Sequence, residues 1–118
     1  MSDSRNIPGT ILLVTDDGMG KAEPQLRHKL IRVYLSMLLE NGLLPGAICF
    51  YSDGVKLVVE GSPVIDLLKQ LESKGVLLIS CLTCLNYYNL AEKVAVGVIG
   101  GMPDIVAAQW RASKVITL

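Results

Sequence analysis

Along the 118 residues, apolar positions fall into short runs separated by polar, glycine-rich or proline-rich breaks. The run TILLVT, residues 10–15, is continuous rather than alternating, which suits a strand buried on both faces. The turn-forming stretch DDGMGKAEP follows it. From Gln25 to Asn41 the residues Leu26, Leu30, Val33, Tyr34, Met37 and Leu38 recur at spacings of three and four, the period of an amphipathic helix. Gly42 is a stop signal for that helix. GAICFY, 46–51, reads as a second strand. SDGVKLVVEGS fits either a short extra strand or an irregular turn with a short helix. Ser62-Pro63 has the chemistry of a helix opening, a capping hydroxyl followed by a residue suited to the first turn. Val64, Ile65, Leu68 and Leu71 then make one helical face, closed by Gly75. VLLIS, 76–80, is a third strand, KVAVGVI, 93–99, a fourth, Pro103–Ser113 a last helix, and KVITL, 114–118, a fifth strand.

Strand and helix alternate throughout, with short links. That order predicts a parallel sheet between helices, an α/β three-layer sandwich of flavodoxin-like type with five mostly parallel strands. Residues 1–9 read as a polar tail and 10–118 as one domain. In such sheets ligands sit at the carboxyl ends of the strands, so the loops at Asp16, Ser52, Cys81 and Gly100 share one expected functional rim.

Composition narrows the classes of function. A hydrophobic fraction of 51% with 19% charged residues supports a core without disulfides. Eleven basic and eleven acidic residues cancel, and no run of like charge occurs, so no footprint for nucleic acid or an anionic membrane is present. No apolar stretch reaches the ~18 residues of a membrane span. The first ten residues lack a secretory signal pattern, and three cysteines, an odd number, fit a reducing compartment; the expected location is the cytoplasm.

The chemistry concentrates in SCLTCLNYYNL, residues 80–90, where Cys81 and Cys84 stand at a strand-to-helix junction. A thiol attacks as thiolate, and a helix N-terminus lowers its pKa from about 8.5 by stabilising negative sulfur. Four readings compete for these two residues. Zinc needs about four ligands, and only Cys49 and His28 stand elsewhere to join them. A thioredoxin-type dithiol matches the spacing, but here the pair follows the third strand rather than the first. Simple burial explains Cys49 well and competes for the other two. The fourth reading is sulfur carriage with Cys81 as nucleophile. Around them, Thr83 is placed to donate to sulfur or to cap the turn. Gly18 and Gly20 make neither GxGxxG nor a P-loop, yet a glycine loop there could shape a small anion pocket. Asp16 and Asp17 read as a solvated loop, His28 as part of a solvated helix face, Tyr87 and Tyr88 as packing or interface groups, and Trp110 as a core or subunit-contact anchor.

The segments SCLTCLNYYNL, VAVGVI and ASKVITL, with DGVKL upstream and ILLVTDDGMGKAEPQL more loosely, resemble the DsrE/DsrF-like family. Within it, the sequence is most similar to the domain that ends the YedF-type sulfurtransferase-like selenium metabolism proteins. The resemblance implies the five-stranded fold, assembly into homo-oligomers, and sulfur relay in which Cys81 carries a persulfide and Cys84 resolves or assists. From their places around the rim, Thr83, Gly18 and Gly100 are the expected binding residues; a sulfur-donor or acceptor protein is the expected partner, and no cofactor or metal is expected. A non-catalytic oligomerising or regulatory role is the alternative. Leu82 stands where the family pattern has glycine, adding bulk next to the first cysteine. The sulfur-carrier domain of the longer proteins has no counterpart in these residues, which implies either a separate carrier or a role that has drifted.

Overall fold

The structure is a computed structural model that describes residues 6–118, with side chains described from residue 9. Its strands are β1 (Asn6–Val14), β2 (Leu44–Phe50), β3 (Leu77–Cys81), β4 (Val98–Gly100) and β5 (Lys114–Thr117). Its helices are α1 (Pro24–Asn41), α2 (Ile65–Ser73), α3 (Leu82–Tyr87) and α4 (Met102–Arg111). Two 3-10 segments, Ser52–Val58 and Ala91–Lys93, complete the order. All strand pairs are parallel and the sheet runs β4-β3-β2-β1-β5.

Register shows how the layers form. Leu12, Ile48, Leu78 and Ile116 are in one row across the sheet, and Leu13, Cys49, Ile79 and Val98 in the next. Neighbouring rows face opposite sides because successive residues alternate. Leu12 and Ile116 meet Tyr34 and Leu38 of α1, so α1 covers the first face. Ile11 and Ala47 meet Ala108 and Ala112, so α4 covers the second. The expected three-layer α/β sandwich is therefore the fold, and the long apolar runs reflect strands buried on both sides.

The face under α1 is the better covered. Ile31, Leu35 and Leu38 of α1 are buried, and α2 is tied beside it by a two-pronged ion pair from Arg32 to Asp66, at 2.9 and 2.7 Å. The guanidinium holds the Asp66 carboxyl down at about 2, but both groups are half-exposed, so the pair orients more than it stabilises. On the other face α4 works alone. Leu77, Val98 and Val115 stay 43–50% exposed beside it, and Met102, Val106 and Trp110 form its outward side.

Several boundaries differ from the sequence expectation. The first strand begins at Asn6, so residues 6–9 of the expected tail belong to the sheet, with a register irregularity between Ile7 and Ile11; residues 1–5 lie outside the described residues. Ser62 does not cap α2. Its hydroxyl accepts the Val64 N–H at 3.2 Å, making a turn before the helix starts at Ile65. The fourth strand shrinks to three residues. Val94 instead bridges Val59, and Gly97 turns the chain at φ 79° where a Cβ would lie 2.8 Å from Leu78 Cβ. That turn, open only to glycine, is what delays β4.

Candidate functional site

The site begins where β3 ends. Cys81 is paired across the ladder with Gly100 and is also the N-cap residue of α3, with φ −74° and ψ 118°. Strand alternation turns its side chain toward the α4 side, where it is fully buried. No side-chain capping hydrogen bond forms there. The open, amide-held thiolate expected at Cys81 is not there; solvent access and the amide lie instead at Cys84. Cys84 is in the first turn of α3, partly exposed, and its Sγ accepts the Ser52 main-chain N–H at 3.1 Å. Both are free thiols, three residues apart, and the Cys81 thiol is near enough to Cys84 to raise its pKa.

Ser52 reaches this position because β2 cannot continue. The Tyr51 N–H donates to Val14 O at 3.1 Å, and the chain then folds over the end of β1. Gly54 is pressed there so closely that a Cβ would lie 2.0 Å from Val14 O. Ser52 turns the corner with φ 55°, left-handed backbone that a serine rarely adopts. Next to it Asp53 accepts a hydrogen bond from the Tyr88 hydroxyl and pairs with Lys56 Nζ at 3.3 Å. Lys56 Nζ also stands 4.5 Å from the centre of the Tyr88 ring, and Tyr87 meets Tyr88 edge to face at 5.1 Å.

The electrostatics follow from these contacts. Desolvation pushes the Cys84 thiol above its ordinary pKa; the Ser52 N–H opposes that rise, and the neighbouring Cys81 thiol reinforces it. The Tyr88 hydroxyl holds Asp53 below the usual carboxylate range, and donation to Asp53 lifts Tyr88 to about 12. Burial alone pushes Cys49 up to about 11, matching its expected role as core packing.

The other expected site residues divide. Gly100 lies beside Cys81, with a virtual Cβ 3.0 Å from Ile79 Cγ2 and 2.9 Å from Asp104 Oδ2, so it makes room for α4. Thr83 is exposed on α3. Gly18 packs against α1: a Cβ there would fall 2.5 Å from Arg27 Cβ, which gives this glycine a packing reason. Leu82 is 43% exposed, so its bulk goes outward. His28 is half-buried rather than on a solvated face, with Nε2 3.3 Å from Asp17 Oδ1. Arg27 holds the same loop through Asp17 O and Ala22 O. Among the described residues no three His, Cys, Asp or Glu side chains gather to hold a metal ion, and no helix is long and apolar enough to cross a membrane. From the sequence, Ser52 was marked only as a loop on the expected rim, and Asp53 and Lys56 were not singled out. The only signal for them was the DGVKL segment, read as resemblance rather than as chemistry.

Two thiols at the carboxyl rim of a parallel sheet, backed by a main-chain donor and a tyrosine–aspartate pair, define a small α/β protein with a cysteine site. A family model described as DsrE/DsrF-like matches residues 11–118, and the chain belongs to that family. Solved structures agree on the fold. A protein of unknown function from Methanobacterium thermoautotrophicum is 18% identical, with a TM-score of 0.69 over 92% of this chain and 97% of its own. The ychN protein from E. coli is 19% identical, with a TM-score of 0.68 over 92% and 98%. A conserved protein of unknown function from Bacteroides thetaiotaomicron is 12% identical, with a TM-score of 0.67 over 93% and 95%. No curated protein matches the chain.

Proposed function

We propose that the protein relays sulfur as a persulfide through the Cys81–Cys84 pair, with Cys84 as the point of entry. The observation that carries this is the neighbouring pair of free thiols, one buried and one open to solvent with an amide on its sulfur. In the transfer, the Cys84 thiolate attacks the terminal sulfur of a donor persulfide. One S–S bond forms on Cys84 as the donor's S–S bond breaks, and the donor leaves as thiolate. Delivery repeats the exchange toward an acceptor thiol, so the relay needs no external oxidant. Because Cys84 rests as a thiol, docking of the donor has to supply the ionisation, by taking the proton or by bringing positive charge.

The partners in this reading are a sulfur-donor and a sulfur-acceptor protein in the cytoplasm. A link to selenium metabolism rests on the resemblance to YedF-type proteins. Homo-oligomers are supported by the apolar residues left open around α4 and by Leu26, Leu30, Val33 and Met37 along the outer side of α1.

The complete burial of Cys81 favours a second reading, a non-catalytic oligomerising or regulatory module. Intact-mass analysis after incubation with a small persulfide donor separates the two. Relay adds the mass of one sulfur, mapped to Cys84 or Cys81 and never to Cys49. No added mass, or only a Cys81–Cys84 disulfide, overturns relay.

A further inference from the structure

We infer that Ser52 is a positioning residue whose inward-turned main-chain N–H holds the reacting sulfur of Cys84, and that the Tyr88–Asp53 hydrogen bond keeps it there. The inference rests on the relay reading and goes beyond it by assigning the group that favours charged sulfur. Three observations converge.

The first is the bond itself, Ser52 N–H to Cys84 Sγ at 3.1 Å. A neutral thiol is a poor acceptor, whereas a thiolate or an ionised persulfide is a strong one. The donor is therefore under-used at rest and gains when the sulfur takes on charge, the differential interaction that lowers a barrier.

The second is the backbone. Left-handed φ at a residue other than glycine is unfavourable and persists where the surroundings dictate it. At Ser52 the surroundings are the Gly54 wedge against Val14 O and the Tyr51 N–H fixed on the same carbonyl.

The third is a two-point clamp. Cys84 and Tyr88 are four residues apart, and the Tyr88 N–H donates to Cys84 O, so the two share one turn of α3 and its C-terminal cap. Their partners, Ser52 and Asp53, are adjacent in the 3-10 segment. One bond runs from the segment to the helix and the other from the helix to the segment. The ionisable groups that act on the sulfur are Cys81 from β3 and Tyr88 from α3, and those that act on Asp53 are Tyr88, Lys56 from the 3-10 segment and Arg27 from α1. Lys56 offsets the Asp53 charge, so the clamp does not press a bare carboxylate toward the sulfur.

The test is the pH profile of Cys84 alkylation by a small haloacetamide in the full chain, read by peptide mass with Cys49 as internal reference. Tyr88→Phe removes the hydroxyl that fixes Asp53. It is expected to raise the Cys84 midpoint by about one pH unit, about tenfold less thiolate near neutral pH. Ser52→Ile, which disfavours the left-handed corner, is expected to raise it similarly and above Ser52→Gly, which keeps both the corner and the N–H. Near-ultraviolet circular dichroism checks that each variant is folded. Unmoved midpoints in folded Tyr88→Phe and Ser52→Ile overturn the assignment. Sulfur uptake from a persulfide donor without a midpoint shift sinks the positioning role alone. A shift without uptake in the parent protein sinks the relay reading and leaves the donor assignment standing.

Discussion

Cys49, Cys81 and Cys84 carry the same atom in three environments. Cys49 lies mid-strand beside buried Leu13 and Ile79; Cys81 closes β3, buried on the α4 side; Cys84 is partly exposed with an amide on its sulfur. The Cys49 environment has a measurable consequence. In the unfolded chain a cysteine loses its proton near pH 9, while in the fold Cys49 keeps it to about 11. Between those values the folded state binds more protons, so this contribution is complete below pH 9 and disappears as pH rises through 11. At 1.4 kcal/mol per pKa unit the loss is on the order of 2–3 kcal/mol. Denaturant midpoints measured from pH 8 to 11 are expected to fall, and Cys49→Ala is expected to flatten that fall. A parent curve level across the range removes the argument.

Among the elements, the corner after β2 is the tightest. A methyl group on Gly54 would overlap the Val14 carbonyl, which is main chain and cannot rotate away. Gly54→Ala is expected to cost about 3 kcal/mol, visible in the unfolding midpoint, and to loosen the Ser52 amide from Cys84. A loss below about 0.5 kcal/mol would mean that the corner shifts freely. The same corner marks the limit of what the sequence made legible. β1, β2 and β3 were readable because strands buried on both faces become unbroken apolar runs, and α1 because its helical spacing and Gly42 stop are local. Even so, Leu26, Leu30, Val33 and Met37 of the expected apolar face stay exposed, and Ile31 and Leu35 are buried instead. KVAVGVI was also apolar, but its early valines serve a bridge to Val59 and the strand waits for Gly97, a backbone effect that periodicity does not register. The cysteines were legible as a strand-to-helix pair. Their donor was not, because any non-proline residue can offer a main-chain N–H, and Ser52 stands 32 positions from Cys84.

At the level of the whole molecule, coverage of the sheet is lopsided. Successive steps from β1 to β4 move in one direction and lay α1 and α2 together on one face; the return to β5 carries α4 alone across the other. Leu77, Val98, Val106 and Trp110 are left open as a result, Trp110 at 85%. If this face is a subunit contact, Val106→Glu is expected to lower the sedimentation mass toward that of one chain. A parent protein that sediments as a monomer at micromolar concentration defeats the oligomer proposal. The thiols gather at the carboxyl ends of β2 and β3, away from the point between β1 and β5 where strand order reverses.

Pairing of β5 with β1 joins residues about a hundred positions apart, Thr10 with Lys114 and Leu13 with Thr117. During synthesis, β1 would leave the ribosome with one flank unsatisfied and stay so until the last strand emerged. Early helices and the β1–β2–β3 ladder could assemble in passing, but sealing the sheet would wait for β5. Refolding from denaturant should accordingly show a late step that reports on this edge.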